Sequence, residues 1–63
     1  MIIEETDNAY DFHVTPQNLE DGTPVIEIYQ ESGSSENYVG IDKHQAAQLI
    51  AALQRWVDGG EIE

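Results

Sequence analysis

Two hydrophobic spacings follow one another along this chain. Between residues 9 and 41, apolar and polar side chains alternate from one residue to the next in several short stretches. This is the period of a half-buried β-strand. From residue 42 to residue 57 the apolar side chains recur every three or four positions, which is the period of an amphipathic α-helix. The change of period predicts several strands followed by one helix, so we expect an α+β fold of order βββα.

The helix has clear signals at both ends. Asp42 is a good N-cap, and Gln45 three residues later completes a capping-box pattern. Gly59 and Gly60 supply residues able to adopt the left-handed conformation that ends a helix. The predicted apolar arc of this helix contains Ala46, Leu49, Ile50, Leu53, Trp56 and Val57.

Three runs of β-branched and aromatic residues are predicted strands. They cover residues 9–14, 25–30 and 38–41. In the second run we expect Ile26 and Ile28 to face the core, because this phase leaves Glu27 in water. Proline, glycine and serine mark residues 15–24 and 31–37 as connections. Residues before 9 are either a short edge strand or a frayed terminus.

Short connections favour pairing between consecutive strands, so the prediction is a three-stranded antiparallel meander with the helix packed on one sheet face. Residues 1–63 then form one domain. The strand residues in the predicted core are Tyr10, Phe12, Val14, Ile26, Ile28, Val39 and Ile41.

A chain of 63 residues builds only a marginal core, and this one has no cysteine to form a disulfide or a thiolate metal site. We therefore expect a homodimer. Ala47, Ala51 and Trp56 are the candidate dimer contacts, because the two alanines form a narrow strip that admits a close neighbour. The alternative is that the alanines only favour the helix and that Trp56 belongs to the monomer core.

Charge is the most unusual property of the sequence. The formal net charge is −11, and residues 1–41 contain nine acids but no lysine or arginine. Such a field repels nucleic acid and anionic membranes and attracts basic surfaces. We expect a basic protein partner, in particular a nucleic-acid-binding protein, and neither direct nucleic-acid binding nor membrane binding. The alternative is that the charge serves solubility only.

If the charge is functional, the binding surface combines acids with the tyrosines of the outer sheet face. Tyrosine is common at interaction hot spots because it adds contact area at little entropic cost. Acids two residues apart on a strand also lie about 6.5 Å from each other, a spacing similar to that of nucleic-acid phosphates. The candidate residues are Glu4, Glu5, Asp7, Asp11, Glu27, Tyr29, Glu31, Glu36 and Tyr38.

Catalytic signatures are lacking in the sequence. Asp11 with His13 and Asp42 with His44 have spacings that metal ligands use, but a stable site needs three or four converging ligands and no further histidine is present. The serines of residues 32–35 have no adjacent base. We expect no enzyme activity, no metal and no cofactor. The first residues lack a targeting pattern, so we expect a soluble cytoplasmic protein.

The segments VIEIYQ, ESGSSEN and YVGIDKHQAAQLIAALQRWV, preceded by a base-free acidic half, resemble small acidic accessory proteins of phages and mobile elements. The resemblance implies an inhibitor of host or defence proteins, in some cases by nucleic-acid mimicry, and it carries over no binding residue. The helix departs from it, since residues 42–63 have a net charge of only −2. The competing function is a small homodimeric structural or housekeeping domain.

Overall fold

The structure, a computed structural model, describes residues 1–62 and contains an antiparallel sheet followed by one helix. The elements are β1 (Ile2–Ile3), β2 (Phe12–Asn18), β3 (Pro24–Ser32), β4 (Ser35–Ile41) and α1 (Lys43–Val57). The strands lie in the order β1-β2-β3-β4. The α+β class and the order of strands before helix are confirmed, but the predicted three strands are wrong because the sheet has four.

The additional strand is β1, at one edge of the sheet. Ile2 lies opposite His13 and Ile3 lies opposite Phe12. The ladder extends to Met1, whose carbonyl oxygen accepts a hydrogen bond of 2.8 Å from the Val14 amide. Two residues are too few to show an alternating pattern, so the sequence left an edge strand and a frayed terminus equally open. The edge strand is the correct alternative.

Strand β2 begins at Phe12 rather than at the predicted residue 9 and continues past residue 14 to Asn18, so it contains Pro16, which lies opposite Ile26. The sequence predicts a connection at this proline, since proline has no amide hydrogen for a ladder. It is tolerated because the pairing with residues 1–3 reaches only as far as Val14, so β2 has a free edge from Thr15 onward. The connection to β3 is therefore only residues 19–23, in which Gly22 has a φ of +89°.

Strands β3 and β4 form a tight hairpin. Ser32 lies opposite Ser35, and only Gly33 and Ser34 lie between them. Gly33 has a φ of +62° and Ser34 does not have a positive φ, which is the arrangement of a type II′ turn. The predicted hairpin connection at residues 31–37 is confirmed in position but is shorter than predicted, because the polar residues on either side of Gly33 and Ser34 still pair through their backbones.

Register divides the sheet into two faces. Val14, Ile28 and Val39 lie side by side, as do Pro16, Ile26 and Ile41. We call the side chains of Phe12, Val14, Ile26, Ile28, Val39 and Ile41 the apolar face. The predicted phase of the strands is confirmed with one correction: Tyr10 precedes β2 and is 59% exposed, so it is not part of this face.

Both predicted ends of the helix are confirmed. The Gln45 amide donates to Asp42 Oδ1 at 2.8 Å, and the Asp42 amide donates to Gln45 Oε1 at 3.3 Å, which completes the capping box. At the other end Gly59 has a φ of +93°, and the Gly60 amide donates to the Arg55 carbonyl at 2.9 Å. This is a Schellman motif.

The helix does not cover the apolar face, contrary to the prediction. Its main contact is with β4, the strand that precedes it, and the linker between the two is the single residue Asp42. We call Ala46, Leu49, Ile50, Leu53, Trp56 and Val57 the helical stripe. Within it Ile50 is 69% exposed and Trp56 63% exposed. Among residues 1–62 no side chain is fully buried. An amphipathic pattern shows that a helix face avoids water, but it does not determine which surface covers that face.

Candidate interaction surface

The sheet face opposite the apolar face is polar and aromatic. His13, Tyr29 and Tyr38 lie side by side across the three longer strands, and Thr15, Glu27 and Gly40 form the next row. We call the side chains of His13, Thr15, Glu27, Tyr29, Glu31, Glu36 and Tyr38 the polar face. The structure therefore brings together five of the predicted binding residues, Glu27, Tyr29, Glu31, Glu36 and Tyr38.

An aromatic row crosses the polar face. The ring centroids of Tyr29 and Tyr38 are 4.7 Å apart, and those of His13 and Tyr29 are 5.9 Å apart. Such pairs contribute about 0.5–1.5 kcal/mol beyond the area they bury. Tyr38 is nonetheless 59% exposed, whereas Tyr29 between its two neighbours is half-buried. The row is thus both a cross-strand contact and an exposed aromatic surface.

Tyr29 is tied to the acids beside it. Its hydroxyl donates a hydrogen bond of 3.1 Å to Glu31 Oε2. Partial burial, this hydrogen bond and the negative charges of Glu31 and Glu36 together raise the pKa of Tyr29 to about 12. The phenol therefore stays protonated at neutral pH and remains a donor that orients the Glu31 carboxylate.

Glu31 and Glu36 lie directly opposite each other on β3 and β4. Like charges in this position destabilise a sheet. No lysine or arginine occurs in residues 1–41 to neutralise them. A local conflict of this kind is typical of functional sites.

Further acids gather at the same end of the sheet. The connection from β1 to β2 begins beside Phe12. This is the end of the sheet at which β3 also ends. The Gln30 side-chain amide fixes this connection by donating to the Tyr10 carbonyl at 3.3 Å. A turn closed by a 2.9 Å bond from the Thr6 amide to the Ala9 carbonyl shapes its middle. We call Glu4, Glu5, Asp7, Asp11, Glu31 and Glu36 the acidic end.

The remaining acids of the first 41 residues lie elsewhere. Glu27 is in the middle of the polar face, while Glu20 and Asp21 occupy the connection at the opposite end of the sheet. There the Thr23 side chain and backbone amide hold the pKa of Asp21 below its usual range, the amide donating to Asp21 Oδ1 at 2.9 Å. Glu20 and Asp21 are therefore two acids, like Glu31 and Glu36, but they lie away from the acidic end.

The predicted dimer contacts are all on the surface of the single chain. Ala47 and Ala51 are exposed, and Trp56 is 63% exposed. Leu49, Ile50, Leu53 and Val57 of the helical stripe are exposed as well, which the amphipathic pattern does not predict. No signal in the sequence distinguishes a stripe buried by its own sheet from one buried by another chain.

Several clefts accompany these surfaces, and one of about 270 Å³ lies on the apolar face beside Phe12, Ile28 and Val39. Another of about 460 Å³ lies between the end of β2, the start of β3 and the start of α1, and its lining includes Pro16, Pro24, Ile26, Ile41 and Ala46. A smaller one of about 370 Å³ lies within the turn of residues 5–10. The lining of this last cleft includes Glu5, Thr6 and Asp7.

Asp11 and His13 are not joined by a third candidate ligand, since residues 1–62 contain no group of three histidine, cysteine, aspartate or glutamate side chains that would hold a metal ion. Helix α1 is too short and too polar to cross a membrane.

Comparison with known proteins adds no further assignment: no protein-family model, curated sequence or solved structure matches this chain.

Proposed function

We propose that this protein is a non-enzymatic acidic binding module whose polar face and acidic end occupy a basic, nucleic-acid-binding surface of a partner protein. By holding that surface it inhibits the partner's binding to nucleic acid. The observation that carries the proposal is the cross-strand pair of Glu31 and Glu36 at one end of a base-free sheet. The pair lowers the stability of the free protein and is relieved when a partner supplies positive charge.

The exposed aromatic row supports the same surface. Tyr38 offers contact area next to the carboxylates, and the Tyr29 hydroxyl fixes the orientation of Glu31. Rigid tyrosines beside charges are typical of binding surfaces, because the aromatic rings exclude water from the ion pairs that form around them. Arginine, which stacks on aromatic rings and pairs with carboxylates, is the side chain that this combination fits best.

The experiment compares two variants of equal charge. In the first, Glu31→Gln and Glu36→Gln remove two acids from the acidic end. In the second, Glu20→Gln and Asp21→Asn remove two acids from the opposite end of the sheet. Immobilised wild-type and variant proteins are incubated with cell extract, the retained basic proteins are identified, and nucleic acid is added to displace them.

We expect wild type and the Glu20/Asp21 variant to retain the same basic partner, and nucleic acid to release it. The Glu31/Glu36 variant should lose it, and for the purified partner the affinity should fall steeply with added salt. Equal retention by both variants, or an affinity independent of salt, would contradict the proposal. The charge would then serve solubility in a homodimeric structural domain.

A further inference from the structure

Within residues 1–62, two apolar surfaces of the single chain have no partner. The apolar face of the sheet is only half-buried at Phe12 and Ile28, and Val39 on it is 53% exposed. On the helical stripe Ile50 is 69% exposed and Val57 is 72% exposed. Contiguous apolar surfaces of this kind are rare on proteins that act as monomers and mark sites of association.

The exposed area gives the size of the surface that a partner would cover. One chain exposes 5444 Å². A folded monomer with a mass of 7.0 kDa exposes about 4,000 Å², so the excess is about 1,400 Å² per chain. Two copies that covered this excess in each other would bury about 2,800 Å², which lies within the range of obligate homodimers. The radius of gyration of 13.5 Å also exceeds the value of about 11 Å for a compact domain of this length.

The distribution of charge shows which kind of surface can pack against the apolar face. Strand residues on the side of the apolar face carry no charge, whereas Glu27, Glu31 and Glu36 all lie on the polar face. Residues 43–57 form the only long segment without an acid, and they contain the lysine and the arginine of the chain. A second helix α1 can therefore approach the apolar face without burying a carboxylate, even though each copy has a net charge of −11.

We propose that a second copy of this chain covers the apolar face and the helical stripe in a two-fold symmetric homodimer. Each copy presents one apolar sheet face and one apolar helix, so a two-fold axis lets each surface be covered by the partner's surfaces, and none remains exposed. The polar face and the acidic end stay accessible. The dimer does not rest on the proposed function, and it holds whether or not a basic partner binds.

The wild-type protein provides the first test. Light scattering or sedimentation should give a mass twice the 7.0 kDa of one chain. Trp56, the only tryptophan, should show blue-shifted emission that moves to the red on dilution as the dimer dissociates. Self-association should strengthen as salt is added, because salt screens the repulsion between two copies of net charge −11. A basic partner should show the opposite salt dependence.

Two variants with the same change of charge test the surfaces. Ile50→Glu places a carboxylate on the helical stripe, and Gln48→Glu places one on the opposite side of the same helix. Ile50→Glu should weaken self-association by about a hundredfold or more, which corresponds to about 2.8 kcal/mol, because a carboxylate is then buried without a partner. Gln48→Glu should change it by less than about threefold. Unfolding of Ile50→Glu alone also supports the dimer, since a 69% exposed position tolerates glutamate in a monomer.

Intermolecular contacts locate the interface directly. In a mixture of isotope-labelled and unlabelled wild-type chains, filtered NMR spectra should connect the helical stripe of one copy with the apolar surfaces of the other. A folded species with the mass of one chain overturns the proposal, and so does a mass above two chains. A dimer that lacks these contacts, or one that Ile50→Glu and Gln48→Glu affect equally, overturns it as well.

Discussion

Replacing Glu36 by glutamine should make the protein more stable. Glu36 lies directly opposite Glu31, and both belong to a stretch of chain without lysine or arginine. Glutamine keeps the size and the hydrogen-bonding groups of the side chain but removes its charge. The hydrogen bond from the Tyr29 hydroxyl to Glu31 stays in place, because that carboxylate is unchanged.

The cross-strand geometry sets the magnitude. Directly opposite side chains have Cβ atoms about 5 Å apart, and we take the two carboxylates to be about 6 Å apart. At this distance two unit charges repel by about 0.7 kcal/mol in water. Screening at physiological ionic strength reduces the repulsion to about 0.3 kcal/mol. Glu36→Gln should therefore raise the free energy of unfolding by about 0.3–0.7 kcal/mol, with the larger gain at low salt.

Urea denaturation followed by circular dichroism measures this gain. With a slope of about 1 kcal/mol/M, the midpoint should rise by about 0.3–0.7 M at equal chain concentration. The control is Glu27→Gln, which makes the same change of net charge on the same face at a position opposite Thr15 and Gly40. If Glu27→Gln stabilises the protein as much as Glu36→Gln, the gain reflects total charge and the reasoning about the pair is refuted.

Three further outcomes follow from the local structure. Asp42→Ala should cost about 1 kcal/mol in urea denaturation through loss of the capping box, and an unchanged midpoint would contradict that role. Gly59→Ala should cost about 1 kcal/mol because Gly59 has a φ of +93°, whereas Gly40→Ala, with open space around the new Cβ and no positive φ, should not destabilise the protein. In alkaline titration followed by tyrosinate absorbance, the step near pH 12 should disappear in Tyr29→Phe; its persistence would assign it to another tyrosine. Because the folded protein holds this proton more tightly than an unfolded tyrosine of pKa 10.0, the stabilisation is complete below pH 10 and is lost as the pH rises toward 12.

Much of the fold was predictable because local patterns determine it. The alternation around Ile26 and Ile28 assigned the strand faces correctly, and the Asp42 and Gln45 pattern located the start of the helix. Strand β1 was too short to produce a pattern, and Pro16 suggested a connection because proline is rare in sheets. Its place in β2 depends on the short reach of β1, which only the three-dimensional pairing reveals.

The surfaces were predictable as sets of residues but not as arrangements. Composition identified the acids and tyrosines, whereas the register put Glu31 opposite Glu36 and the topology put residues 4–11 at the same end of the sheet. The Gly33 and Ser34 turn is the signal that predicts this register, since a two-residue hairpin fixes the pairs on either side of it. Packing of the helix was mispredicted because an apolar stripe does not specify the chain that covers it.

The lack of a fully buried side chain in residues 1–62 has a consequence for how the cell would control this protein. If the interior forms only when two copies meet, the folded fraction depends on the concentration of the chain itself. At low expression the chains would be mostly unfolded and open to proteases, and newly made copies would be degraded before they accumulate. Above the dissociation constant the protein would persist, so its activity would rise more steeply than its rate of synthesis.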